Sequence, residues 1–187
     1  EKVRLLKAYG AEVVITPTAV PPDHPDNYVM KAKQIVKDTP GAVLANQFYN
    51  PVNPEAHYRT TGPEIWEQTG GRVTHFIAGA GTGGTVSGAG KYLKEKNPKI
   101  RVIAGDPVGS LYSGWARTRT MGEGAPYKVE GIGGDKIPTT ILLEHIDEFR
   151  QLGDRESMAM ARRLAREEGM LVGGSAGLNV ALALQVA

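Results

Sequence analysis

No cysteine occurs anywhere in the 187-residue chain. That absence excludes disulfides, a thiolate nucleophile and a cysteine-ligated metal. Histidines number only four, no two of them three or four residues apart, so no helical metal pair exists and no metal is expected. No apolar run approaches the length a bilayer demands and none reads as a secretory leader, which makes a cytoplasmic enzyme the expectation. An excess of one charge sign is missing too. The 22 basic and 20 acidic residues are interleaved and leave a net charge of +2, which points away from nucleic acid and acidic membranes.

What the chain has in abundance is glycine, 24 residues, many of them clustered in GAGTGG, EGIGGD and VGGSAG. Glycine is favoured where the backbone needs φ > 0 or must approach a ligand closely. The clusters sit between well-patterned elements, which favours ligand contact over disorder.

Helical and strand patterns alternate along the sequence. EKVRLLKAYG reads as a helix with Val3, Leu5, Leu6 and Tyr9 on its apolar face and Gly10 as its stop. AEVVITP reads as a short buried strand, residues 26–38 as a helix with Tyr28, Val29, Ala32, Ile35 and Val36 inward, and GAVLANQF as a strand. Asn53-Pro54 supplies an N-cap and first-turn proline for a helix to about Thr69, kinked at Gly62-Pro63. VTHFIAG is a strand, Thr85–Lys96 a helix and RVIAGDP a strand, followed by a Gly/Pro-rich segment over 106–140. Asp154 is expected to cap ESMAMARRLAREE, closed by Gly169, with MLV a strand leading into GGSAG and a last helix. The first and last helices lack caps, so the chain reads as a fragment. The expected fold is three-layer α/β, a parallel sheet covered by helices and incomplete at both ends. Ligands in such sheets bind beyond the carboxyl ends of the strands, where the glycine clusters fall.

The segment Gly81-Thr82-Gly83-Gly84-Thr85 follows a strand and opens a helix, where backbone N–H groups and the helix dipole stabilise an anion. No lysine lies in the loop, so a Walker A site is excluded. Gly79, Gly81 and Gly84 satisfy G-x-G-x-x-G, and Asp106 ends the next strand where a ribose-binding acid would stand. A NAD-dependent oxidoreductase therefore remains an alternative. The two threonines favour instead a monophosphate held at one point. Ser175 in GGSAG suits the ring nitrogen of an aromatic heterocycle, kept unprotonated by a hydroxyl partner.

The run GAGTGGTVSGAGKYLKEKNP, preceded by NPEAHYRTTGPEIWEQTGG and followed by VEGIGGDKIP and DRESMAMARRLAREEGMLVGGSAG, resembles the cystathionine β-synthase and cysteine synthase family. These are pyridoxal-phosphate enzymes of the tryptophan synthase β-subunit fold, and the resemblance covers essentially the whole chain. It implies pyridoxal 5'-phosphate as cofactor, with its phosphate on Gly81, Thr82, Gly83, Gly84 and Thr85. Ser175 would face the pyridine nitrogen, and Gly131, Ile132 and Gly133 would flank the cofactor and close over substrate. Gln47 would lie near the substrate carboxylate, with Asn50 beside it. Residues 1–45 would belong to the small domain and 46–187 to the large one. The implied reaction is β-replacement: serine or an activated serine loses its β-substituent and a thiol or sulfide adds. The expected assembly is a homodimer with small amino-acid and thiol substrates.

Two departures from the family pattern stand out. The serine-x-lysine motif carrying the Schiff-base lysine is absent, as is the threonine-serine-glycine-asparagine carboxylate loop. Lys91, Lys94, Lys96, Lys99, Lys128 and Lys136 lack that context, so no catalytic residue is assigned here and the lysine is expected upstream. This chain alone is accordingly expected to be inactive. Gly134 stands where cystathionine synthases often carry an aromatic residue. GGSAG and YKVEGIGGD look closer to cystathionine β-synthases, which use homocysteine, than to cysteine synthases, whose serine loop more often reads GISSG. His57 and His75 read as structural, His24 and His145 as surface residues, and Arg162, Arg163 and Arg166 as a solvated, ion-paired helix face. Arg117 and Arg119 belong either to a flap at the site or to a surface excursion, and Trp66 and Trp115 to a core or an interface.

Overall fold

A computed structural model describes residues 2–17, 20, 21 and 23–187. Glu1, where the first helix pattern begins, lies outside the described residues. The chain divides into two units, Glu1–Ala45 and Asn46–Ala187. Among the described residues no helix is long and apolar enough to cross a membrane.

Among the described residues the first unit holds two helices. α1 (Lys2–Ala8) closes at Gly10, whose φ of +86° lets Ala11 N–H reach back to Leu6 O in a Schellman turn. α2 (Tyr28–Asp38) is capped by Asn27, whose Oδ1 accepts from Val29 N at 3.0 Å. AEVVITP is not a strand: residues 11–17 form no regular element, Val14 and Ile15 are exposed, and no described strand pairs with them. GAVLANQF also fails as a strand. Residues 42–46 form no regular element, Val43 is 88% exposed, Asn46 takes a left-handed φ of +49°, and the chain turns at 47–49. Apolar β-branched residues favour extended backbone, yet only a hydrogen-bonding neighbour makes a strand.

In the second unit, α3 (Val52–Arg59) and α4 (Thr61–Gln68) break at Thr60, earlier than the expected kink at Gly62-Pro63. The cause is still Pro63: it has no N–H, and its ring conflicts with the carbonyl four residues back, that of Arg59. Asn53 is not the N-cap either. It lies inside α3, and Asn50 Oδ1 accepts from Val52 N instead.

Three parallel strands follow in the order β1 (His75–Gly79), β2 (Arg101–Pro107), β3 (Glu148–Leu152). Register pairs Gly79 with Gly105 and Asp106 with Gln151. β3 carries no apolar run. It is an edge strand whose Glu148 pairs with Arg101 and Arg150, the kind of polar edge that resists further pairing. α5 (Gly84–Lys96) and α8 (Gly174–Val186) cover opposite faces of the sheet. Alternation along β2 sets this up: Val102 and Ala104 join Val86 and Leu93 of α5 in one core cluster. On the other face a Cβ at Gly105 would stand 2.6 Å from Leu178 Cδ2, and Leu178, Ala181 and Leu182 form the second cluster with Val129 and Ile132. Each fully buried leucine contributes roughly 2 kcal/mol by removal from water.

α6 (Tyr112–Thr118) interrupts the Gly/Pro-rich segment, with Arg119 over the Trp115 ring at 5.5 Å. Trp66 and Trp115 both pack against the first cluster. α7 (Asp154–Glu167) packs along α8, because Gly177 admits the backbone of Ser157 and Ala161. Asp154 is the first residue of α7 rather than its cap. Its carboxylate accepts from Lys128 N and Val129 N and so anchors the 127–129 segment. The exposed helix face carries the Arg163–Glu167 and Arg166–Glu167 pairs. MLV, residues 170–172, forms no regular element and has no described strand partner, and Leu171 is 93% exposed.

Candidate functional site

β1 ends at Gly79, and the chain wraps through Ala80–Gly83 before α5 begins at Gly84. The wrap needs glycine for concrete reasons. Gly83 has φ +80°, and a Cβ there would stand 2.2 Å from Ile141 Cγ1. A Cβ at Gly81 would stand 2.4 Å from Gly131 O, and one at Gly84 1.9 Å from Asn53 Oδ1. The bare glycines thereby keep side chains off the N-terminus of the 13-residue α5, whose dipole favours an anion there.

That space is a cavity of about 610 Å³. Gly81, Thr82, Gly83 and Thr85 form one side, and Gly131, Ile132 and Gly133 another, with Gln47 and Phe48 at the rim. Gly84 lies beneath the wrap as the buried first residue of α5. Ser175 does not line the cavity: it is the second residue of α8, half-buried. One turn further on, Asn179 Oδ1 is buried without a partner and lies 3.4 Å from where a Gly79 Cβ would be. No lysine lines the cavity among the described residues.

Side chains to which sequence patterns assign other roles, or none, hold the wrap in place. Asn53 Nδ2 donates to Gln47 O at 2.8 Å and to Thr82 Oγ1 at 2.9 Å, and Gly84 N donates to the same oxygen at 3.3 Å. With both lone pairs of Thr82 Oγ1 engaged, its own proton is left to donate elsewhere. Thr140 Oγ1 donates to Thr82 O at 2.5 Å, with Phe48 O 3.1 Å away. Tyr112, buried on α6, donates its phenol to Gly81 O at 3.0 Å. Only Asn53, standing before a proline at a helix start, carries a sequence signal, and it is the signal of a cap. Thr140 and Tyr112 lie far from the loop in sequence.

Backbone bonds tie the facing loop in. Gly133 N donates to Ala80 O at 2.7 Å, Leu111 N to Gly134 O at 3.0 Å, and Gly134 N to Ser110 Oγ at 3.1 Å. A Cβ at Gly134 would lie 2.4 Å from the Tyr112 hydroxyl, so this chain puts its aromatic on α6 and must keep residue 134 bare. Asp106 is fully buried, accepts from Ser113 N at 3.0 Å and is out of reach of a ribose. Burial pushes its carboxyl up, against hydrogen bonds from Ser110, Ser113 and Gln151. That removes the acid on which a dinucleotide reading depends. Tyr127 also lines the cavity; burial and then the Asp106 and Asp135 charges raise its phenol, which stays protonated.

His57 and His75 differ. His75 begins β1, exposed, with Nδ1 3.0 Å from Thr74 Oγ1. His57 lies between Thr61 and Thr85, the second residue of α5, and burial lowers its pKa. His145, expected at the surface, is only 24% exposed under α5, and burial lowers it too.

A family model described as pyridoxal-phosphate dependent enzyme matches residues 1–187. The chain is 42% identical to a cystathionine beta-synthase of Apis mellifera over 187 residues, covering all of this chain and 37% of that protein. It is 44% identical to a cystathionine beta-synthase of Saccharomyces cerevisiae over 182 residues, 95% of this chain and 36% of that one. Against cysteine synthase 3 of Caenorhabditis elegans the identity is 42%, covering 100% of this chain and 53% of the relative. The chain thus spans between 36% and 53% of the length of these relatives.

Proposed function

The chain belongs to the family of pyridoxal-phosphate dependent enzymes, and from that premise we propose that its cavity holds pyridoxal phosphate for β-replacement on serine. The observation that carries the reading is the meeting of the Gly81–Thr85 wrap and the Gly131–Gly133 loop around one cavity. The wrap fits a phosphate: the N-terminus of α5, two threonine hydroxyls and glycines that no Cβ could replace without displacing Gly131, Ile141 or Asn53. When bound, the cofactor supplies the electron-withdrawing ring that eases loss of an α-proton and a β-leaving group.

The chain's own residues bind, orient and shield. Thr82 and Thr85 donate to the phosphate. Ile132 and the backbone of Gly131 and Gly133 keep water from the ring face, and Gln47 at the rim addresses the substrate carboxylate. Ser175, on the first turn of α8 and outside the cavity lining, is the residue that the family resemblance offers to the pyridine nitrogen. Residues 1–45 act as part of a small domain and 46–187 as most of a large one, in a cytoplasmic homodimer.

The preferred reaction is serine with homocysteine to give cystathionine, which GGSAG and the similarity to cystathionine beta-synthases support. Cysteine formation from O-acetylserine and sulfide is the second reading, supported by the likeness to cysteine synthase 3. Incubating the complete protein with each substrate pair separates them, and turnover only with sulfide would overturn the first. Titration with pyridoxal phosphate should raise a visible absorption band; tight NAD binding without such a band would defeat both readings. With no lysine on the described cavity wall, residues 1–187 alone should give no borohydride-reducible adduct at one specific lysine. Such an adduct, mapped by mass spectrometry, would show that the base lies in this chain.

A further inference from the structure

Thr82 and Thr85 face the same cavity, but their hydroxyls are prepared by different neighbours. Thr82 Oγ1 accepts from Asn53 Nδ2 and Gly84 N, so its proton is free for an anion. Thr85 Oγ1 has instead a ring nitrogen, His57 Nε2, at 3.1 Å. The other ring nitrogen, Nδ1, is 2.9 Å from Thr61 Oγ1. His57 itself does not line the cavity. It sits on α3, brought against α5 because Gly88 has no side chain: a Cβ there would stand 2.0 Å from Pro54 O and 2.9 Å from His57 Cβ.

A neutral imidazole has one donor nitrogen and one acceptor nitrogen. Burial favours the neutral ring here. Two arrangements of the Thr61–His57–Thr85 chain are therefore open. In the first, Thr61 O–H donates to Nδ1 and Nε2–H donates to Thr85 Oγ1, which leaves the Thr85 proton to point into the cavity. In the second, Nδ1–H donates to Thr61 and Thr85 spends its proton on Nε2, which turns its lone pairs toward any anion and repels it. Only the first makes Thr85 a donor.

The geometry points to His57 as a positioning residue for phosphate recognition: as the Nε2–H tautomer, oriented by Thr61, it turns the Thr85 hydroxyl toward the bound phosphate. The role rests on the reading of the wrap as the cofactor's phosphate site. It matches on α3 and α4 what Asn53 does for Thr82, so each threonine owes its donor polarity to a side chain outside the loop.

The test compares equilibrium binding of pyridoxal phosphate and of pyridoxal, which lacks the phosphate, to the complete apoprotein and its variants. His57→Gln keeps an amide N–H at the reach of Nε2, whereas His57→Asn reaches only as far as Nδ1. His57→Asn and His57→Phe should weaken pyridoxal phosphate about tenfold, the scale of a charge-assisted hydrogen bond. His57→Gln should restore most of that loss, and none of the three should change the affinity for pyridoxal. In a Thr85→Val background, His57→Asn should have no further effect.

A merely structural histidine would fail this pattern. Equal losses for both ligands, or a His57→Gln no better than His57→Asn, would overturn the proposal. Thr85→Val tests the underlying reading separately. If it weakens pyridoxal phosphate and His57→Asn does not, the positioning role alone falls; if neither matters, the phosphate site falls with it. Should His57→Phe not fold, the Gln and Asn pair still decides. The 15N shifts of the His57 ring in the wild-type protein offer an independent check, since a protonated Nδ1 with a bare Nε2 contradicts the assignment.

Discussion

The two glycine loops that meet at the cavity are built on different physics. In the Gly81–Thr85 wrap, glycine is required because other protein atoms already occupy the space of a side chain, and bonds from Asn53, Thr140 and Tyr112 fix the backbone beneath. At Gly131 the requirement is conformational: φ is +86°, yet nothing lies within 4 Å of a Cβ built there. The first loop is fixed by side-chain bonds to its carbonyls, the second by backbone bonds to Ala80 and Leu111 together with the burial of Ile132 and the close approach of Pro107 and Tyr127 to Gly133. One is a fixed seat and the other a tethered cover.

Gly83→Ala should break the fixed seat most severely. It combines left-handed strain with a clash against Ile141, including its Cα at 3.0 Å, and should cost on the order of 3 kcal/mol. Urea denaturation reads that loss, and pyridoxal phosphate binding should vanish with it. Gly134→Ala comes next, at roughly 1–3 kcal/mol, because its Cβ strikes the Tyr112 hydroxyl. Adding Tyr112→Leu should recover part of that loss, and a double variant no better than the single would show that the phenol is not the obstacle. Gly131→Ala should cost only about 1–2 kcal/mol, from φ alone. If it proves as damaging as Gly83→Ala, the distinction between the loops collapses.

The smallest effect lies away from both loops, at Asp147, which accepts from Val102 N at 2.7 Å and from Lys94 Nζ at 2.8 Å. Burial pushes its carboxyl up, but the Lys94 and Val102 bonds and the Lys94 and Arg101 charges prevail and hold it below the usual range. A carboxyl lowered on folding stabilises fully above its unfolded value of about 3.9, and that stability is lost as pH falls through the folded value. Asp147→Asn should therefore flatten the acid limb of a denaturation midpoint profile below about pH 4 and lower its neutral plateau. An unchanged acid limb would assign the acid sensitivity to another group.

The same contrast explains what is legible in the sequence. β1, α5 and β2 can be read because local pattern and glycine punctuation coincide with burial there. β3 cannot, since EFRQL is an edge strand whose polar residues hide its pairing. Residues 11–17 and 170–172 err the other way, apolar enough for strands but without a described partner. The wrap itself is legible as GTGGT. Its supports at Tyr112 and Thr140 are not, because a hydroxyl that meets a carbonyl across 31 or 58 residues leaves no local trace.

Gly79 and Gly105 stand side by side in the register of β1 and β2, under Leu178 and Asn179 of α8. Together they cut a notch into the carboxyl end of the sheet, and α8 seats its first turns in that notch. The approach of α8 to the strands is thus set by bare main chain at Gly105 and, with Ile132 between, at Gly79. With α7 close along its flank at Gly177 and bare main chain beneath its inner end, α8 is held like a beam housed in a mortise.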